Sequence, residues 1–388
     1  MRLNPLLARL RTYPQEALNS KKAQVRAAGL TLYDFGTGDP VEPTPDSIRR
    51  ALIEAVPQIS QYPTVRGSAE LRQTIADYHQ RRFGVPLDPE TQILPTSGSK
   101  EAVFHLPMLV IDPSAPDRTV VFPDPGYAAY QRGTLFAGGE CHIVSLQGDW
   151  HQRPWLLPEA VLRKTRILWI NSPHNPSGAV MSLDDLKRTY DLCRQHDILL
   201  ASDECYADVY DLDPPSSALQ VGTEGVLTFH SCSKRSGMTG YRSGFIAGDP
   251  AWIDAYREFR INPGVVPQDT VNAGAVAAWS DDRHSVARRD LLRTKKDMFR
   301  AFFAEVGLEV VASEATFYFW IRTPGGMDEE AYASRLLEAG IVVSPGSYFG
   351  FGDVGTGFVR VAMVPPLEQC PEAIAVWRRV HREEGWIS

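Results

Sequence analysis

The stretch HSCSKRSGMTGYRSGFIAGD, His230 to Asp249, sets one lysine among groups that bind anions. Ser231 and Ser233 precede Lys234, Arg242 follows eight residues later, and Gly237, Gly240, Gly244 and Gly248 leave room for close backbone approach. Serines with an arginine suit a phosphate, which the guanidinium grips with its forked donors. A lysine beside that cation and partly withdrawn from water would act as a nucleophile. A solvated basic loop is the plainer reading, and it fits the flanking apolar runs poorly.

Four other places carry matching chemistry. Ser97-Gly98-Ser99-Lys100-Glu101 opens an apolar helix, where Gly98 permits a tight turn, Ser99 can cap, and the first N–H groups form an anion site. Asp124-Pro125-Gly126-Tyr127 is a rigid turn that presents an aromatic ring, for stacking or for packing. In Ser172-Pro173-His174-Asn175-Pro176, two prolines fix the backbone around the Asn175 amide, and His174 reads as a turn residue. Asp203 and Glu204, with Tyr206 behind, put carboxylates at the end of an apolar run, a costly position unless a cation or donor meets them.

Each group follows a short apolar segment. The strand candidates are TQILPT, RTVVFP, CHIVSL, RILWIN, ILLASDE, VLTFHS and GFIAG, several of them apolar at successive positions. That pattern predicts strands buried on both faces, as in a mostly parallel sheet covered by helices. Ser68 before Glu70-Leu71, and Ser182 before Asp185, read as helix caps between them. The fold class is therefore α/β, and in such sheets ligands collect beyond the C-terminal ends of strands. A long helix over about 281–306 breaks the alternation. After it come LEVV, TFYFWI, a helix near Glu329 to Ala339, IVVSPG, FVRVAM and a last helix, together a smaller α+β unit. The expected division is an N-terminal segment, 1–44, joining the small domain; a large domain, 45–284; and the small domain itself, 285–388.

With 388 residues, 43% of them hydrophobic, the chain can bury a core of this size. A net charge of -7 argues against a nucleic-acid partner. Five scattered cysteines without a CxxC pair, and nine histidines without ligand spacing, give no support to a disulfide framework or a metal site. No apolar run has the length of a membrane span and no secretion signal opens the chain, so the expected location is the cytoplasm.

One ligand meets every requirement: an electrophile for Lys234, a phosphate for Gly98, Ser99, Ser231, Ser233 and Arg242, a basic ring nitrogen for Asp203, a ring oxygen for Asn175 and Tyr206, and a flat face for Tyr127. That ligand is pyridoxal 5'-phosphate, whose aldehyde condenses with a lysine amine. The ordered set GTGDP (Gly36–Pro40), QYPTVRG (Gln61–Gly67), TSGSKEA, PDPGYAAY, NSPHNPSG, SDECYADV, SCSKRSGMTGYRSGF and FVRVAM resembles the class I/II aminotransferases of fold type I over nearly the whole length.

The resemblance implies that Lys234 carries the cofactor and moves the substrate proton. Asp203 would pair with the ring nitrogen, Asn175 and Tyr206 would contact the ring hydroxyl, and Tyr127 would stack. Ser99, Lys100 through its backbone, Ser231, Ser233 and Arg242 would hold the phosphate. Arg360 would bind the substrate α-carboxylate with Gly38 assisting. Tyr62 would reach the phosphate in a neighbouring subunit, which implies a homodimer with shared sites. The segment SKRS to RSGFIAGD is similar to that of succinyldiaminopimelate aminotransferases of bacterial lysine synthesis. It points to N-succinyl-L,L-2,6-diaminopimelate and 2-oxoglutarate as substrates, with Arg235 marking the likeness and Arg66 as a candidate for a second carboxylate. Aspartate or broad-specificity transamination, a β C–S lyase on the same scaffold, and a non-catalytic regulatory module are the alternatives.

Overall fold

The computed structural model describes residues 2–10, 14–27, 29–146 and 148–386. A two-residue strand, β1 (Tyr33–Asp34), precedes the larger sheet. That sheet comprises β2 (Ile93–Thr96), β3 (Thr119–Asp124), β4 (Glu140–Ser145), β5 (Thr165–Asn171), β6 (Leu199–Asp203), β7 (Val226–Ser231) and β8 (Gly244–Gly248), in the order β2-β8-β7-β6-β5-β3-β4. These are the seven expected strands. β3 to β7 pair in parallel, and β8 runs antiparallel to both of its neighbours.

Every residue of β3, β6, β7 and β8 is buried, as unbroken apolar runs require when helices cover both faces. β4 has only exposed and half-buried residues because it is the sheet edge. The caps at Ser68 and Ser182 form, each side chain accepting a backbone N–H at 3.1 Å, from Leu71 and Asp185 respectively.

The helix Arg283–Glu305 leads into a four-stranded sheet of β9 (Val310–Ala312), β10 (Tyr318–Arg322), β12 (Ser344–Pro345) and β13 (Phe358–Ala362), ordered β12-β13-β10-β9. IVVSPG, read as one strand, divides into β11 (Ile341–Val342) and β12, which belong to different sheets. β11 pairs in parallel with β1. Tyr33 and Phe35 lie in the same buried cluster as Phe299, Trp377 and Val361, so this N-terminal segment packs with the C-terminal part of the chain. Among the described residues, no helix is long and apolar enough to cross a membrane, and no group of His, Cys, Asp or Glu could hold a metal ion.

Candidate active site

β5, β6 and β7 end side by side, and each delivers a polar residue: Asn171, Asp203 and Ser231. The small sheet closes over them through Tyr318 on β10 and Arg360 on β13, enclosing a cavity of about 570 Å³. Lys234, Asp203, Tyr206, Asn175, Tyr127, Ser99, Lys100, Ser231, Ser233, Arg242, Gly38 and Arg360 all line it. Gly98 sits at its edge, beside Arg242. Tyr62 is fully exposed and lies outside this cavity.

Asp203 is 6% exposed, and burial pushes its pKa up. Its Oδ2 accepts from the Tyr130 hydroxyl at 2.8 Å and its Oδ1 from the Cys205 N–H at 3.2 Å. Neither donor is a cation, and among the described residues no cation forms an ion pair with it. Tyr130, stacked on Trp169 at 4.9 Å, was not anticipated from sequence. The signal lay in PDPGYAAY, where Tyr130 follows Tyr127 by three residues at a helix start. Burial holds the Tyr130 phenol well above its ordinary pKa, so it remains a donor.

The expected anion site differs in one detail. Gly98, not Ser99, is the N-cap of the helix Ser99–Val110, with φ of 78°, and no side chain caps that terminus. Ser99 is the first helical residue, and its hydroxyl accepts from the Cys205 thiol at 2.9 Å. It is the left-handed φ that favours glycine at 98, where a Cβ would also crowd the flexible end of Arg242, 2.4 Å from Nη2. Ser231 Oγ accepts from Ser233 N at 3.1 Å and thereby shapes the turn that carries Lys234.

Lys234 Nζ donates to the Gly38 carbonyl. Gly38 has its own constraint: a Cβ there would meet the Tyr318 hydroxyl at 2.2 Å. That hydroxyl is 2.9 Å from the Tyr206 hydroxyl, and burial raises the Tyr206 pKa well above its usual value. Tyr318 is a second residue that sequence reading missed, since it sits inside the apolar run TFYFWI.

Arg360 is 6% exposed. Nη1 donates to Asn175 Oδ1 at 3.0 Å and Nη2 to the Gly36 carbonyl at 3.0 Å, while Nε has no hydrogen-bond partner among the described residues. The rings of Tyr318 and Phe349 lie 4.1 and 4.2 Å from its guanidinium carbon. Among the described residues no carboxylate pairs with it. Asn171 supports this corner: its Oδ1 accepts from Asn175 N at 2.8 Å and its Nδ2 donates to the Asp203 carbonyl at 2.9 Å.

Two arginines fall elsewhere. Arg66 is spent on Glu90, bonding both its carboxylate and its carbonyl at 2.7 Å, and does not line the cavity. Arg235 turns away from it into a buried cluster with Asp208 and Asp282. The side chain after the lysine therefore does not line this cavity. His174 is a buried turn residue held by Ser177 and the Pro125 carbonyl, with its pKa lowered by burial to about 4.

The family model for aminotransferase class I and II matches residues 31–376. The chain belongs to that family. It is 35% identical to an LL-diaminopimelate aminotransferase of Aquifex aeolicus over 92% of this chain and 93% of that one. A second LL-diaminopimelate aminotransferase, from Desulforudis audaxviator, is 34% identical over 93% and 92% of the two chains. Among solved structures, an aminotransferase from Neisseria meningitidis superposes with a TM-score of 0.89 at 32% identity, covering 97% of this chain and all of that one. A probable N-succinyldiaminopimelate aminotransferase from Thermus thermophilus gives 0.88 at 27% identity, covering 95% and 100%.

Class I and II aminotransferases depend on pyridoxal phosphate, and this transaminase does so too. Its residues fit the group on two observations. Asp203 is a buried carboxylate one cation short, which a protonated ring nitrogen supplies. The helix Ser99–Val110 opens with no side chain capping its N-terminus among the described residues, and Arg242 lies beside its N-cap Gly98, so an anion would find free N–H groups and a guanidinium together. When bound, the cofactor provides a carbonyl for an amine and a ring that accepts an electron pair.

Proposed function

We propose that this aminotransferase exchanges an amino group between a diaminopimelate-type donor, N-succinyl-L,L-2,6-diaminopimelate foremost, and 2-oxoglutarate, in bacterial lysine synthesis. The observation that carries amino-acid recognition is Arg360, a buried guanidinium with no carboxylate partner among the described residues, in one cavity with Lys234. The donor class rests on the likeness of the Lys234 segment and on the Thermus neighbour's name. Free LL-diaminopimelate is the second reading, favoured by the names of the relatives at 34–35% identity.

In this reading Arg360 binds the α-carboxylate of donor and acceptor in turn, with Asn175 and the Gly36 carbonyl fixing the fork. Lys234 Nζ removes the donor's α-proton and Gly38 orients that amine. Asp203, steadied by Tyr130, holds the positive charge of the ring nitrogen. Tyr206 and Asn175 address the ring hydroxyl and Tyr127 covers a face. Gly98, Ser99, Lys100, Ser231, Ser233 and Arg242 hold the phosphate. Tyr62, fully exposed in its own chain, reaches a neighbouring copy's site in a homodimer. We place the enzyme in the cytoplasm and keep the division at 44/45 and 284/285.

A donor panel of N-succinyl-diaminopimelate, free diaminopimelate, aspartate, aromatic and branched amino acids, with 2-oxoglutarate, tests the reading. Highest kcat/KM on the succinylated donor is expected, and faster turnover of aspartate overturns it. Pyruvate and ammonia from cystathionine, in place of stoichiometric keto-acid exchange, would indicate a lyase. Borohydride should fix the cofactor at Lys234, and a Lys234→Ala protein with normal turnover would remove the lysine assignment.

A further inference from the structure

The glycine-rich segment 346–357 leaves the small sheet after β12, crosses to the large sheet and returns to β13. It carries Tyr348 and Phe349, which line the active-site cavity, and Phe349 stacks on the Arg360 guanidinium. Glycines leave such a backbone many conformations, so its position depends on its anchors: Val354 is buried with Trp320 and Phe358, and Gly357 N donates to Glu329 Oε2 at 2.9 Å. Its far side is held by β3. Asp124, the last residue of that strand and 2% exposed, accepts the Phe351 N–H at 2.9 Å on Oδ1 and the Gly352 N–H at 3.2 Å on Oδ2. Gly126 N, two residues on, donates to the Phe349 carbonyl at 2.9 Å. The Phe351 ring packs edge-on against Phe122 of β3, with centroids 5.0 Å apart. Asp124 itself does not line the cavity.

We propose that Asp124 is a positioning residue that latches the 346–357 segment to the large sheet, fixes Phe349 over Arg360 and thereby sets how tightly the site grips a substrate carboxylate. Both oxygens are engaged by backbone donors, so the latch needs a carboxylate: an amide would present its NH₂ to one of two N–H groups and leave that donor unsatisfied. Because donor and acceptor share the α-carboxylate site, loosening the latch weakens both alike. The inference builds on the assignment of Arg360 as the carboxylate fork, and it holds whichever amino donor the enzyme prefers.

The test uses the holoenzyme with the best donor and 2-oxo acid of the panel, and two variants, Asp124→Asn and Phe351→Ala. Phe351→Ala removes the apolar anchor and leaves the backbone donors in place. Each variant is expected to raise KM for donor and 2-oxo acid together by about tenfold, with kcat within about threefold and with cofactor content and absorbance unchanged. Unchanged KM values overturn the proposal. So does a joint fall of kcat, cofactor retention and melting temperature, which marks a purely structural residue. If Asp124→Asn does not fold, Phe351→Ala is judged by the same readings. A failed donor assignment shows in the wild-type panel, whereas failure of the latch shows only in the variants.

Discussion

Arg235 and Arg360 are both nearly buried guanidiniums, 3% and 6% exposed, flanked by aromatic rings, yet their surroundings differ in one respect. Arg235 meets two carboxylates, Asp208 at 2.6 Å and Asp282, and also the Ala278 carbonyl. Arg360 meets an amide oxygen and a carbonyl and, among the described residues, no carboxylate. Withdrawing a guanidinium from water costs several kcal/mol, which a facing carboxylate offsets. The Arg235 cluster settles that cost within the chain and joins the turn after Lys234 to the helices Asp269–Ser280 and Arg283–Glu305. For Arg360 no carboxylate among the described residues offsets it, and in the proposed function a substrate does. The contrast is what supports reading Arg360, rather than Arg235, as the carboxylate fork.

Disrupting each arrangement, by removing Arg360 itself or the Asp208 partner of Arg235, should separate the two. Arg360→Ala is expected to lower kcat/KM by about 10³-fold, near 4 kcal/mol of lost carboxylate binding, with little change in thermal stability. Equal losses of stability and activity would erase the distinction. Asp208→Ala should do the opposite. It strands Arg235 and Arg82 and the Tyr78 hydroxyl, so urea unfolding should show about 3 kcal/mol of destabilisation, with KM values little changed in the folded enzyme.

A smaller effect appears with pH. Burial alone would raise the Asp208 pKa, but Arg235 and Arg82 hold it down from 3.8 to about 2. A carboxylate depressed on folding contributes stability that is fully present above its unfolded pKa and lost as pH falls through the folded one. The wild type should therefore lose about 2 kcal/mol relative to Asp208→Asn between about pH 5 and pH 2. Urea midpoints of both proteins across that range measure it, and a constant gap would show that the cluster is not held together by charge.

Much of the candidate site was legible because its residues follow apolar runs directly. Asp203 after ILLAS, Asn175 after RILWIN, and Ser231 and Lys234 after VLTFH needed only the rule that ligands gather beyond strand ends. Tyr130 was hidden because a tyrosine one helical turn past Tyr127 reads as packing, and Tyr318 because it lies inside a buried strand. The place of Arg235 beside Lys234 carried the likeness to one subfamily but left its role open. Its direction depends on Asp208 and Asp282, 27 and 47 residues away.

By itself the sequence determined the seven-strand alternation, the anion-binding turns and the residue types able to hold pyridoxal phosphate. These are local matters: burial period, a cap position, a group at a strand end. Tertiary structure decided which charges are cancelled and which stay available. Asp124 reaches a segment 227 residues away, and Arg360 meets Asn175 across 185. Hydrogen bonds at such separations exist only once the two sheets have packed, because no local pattern fixes which distant donor a buried oxygen will face.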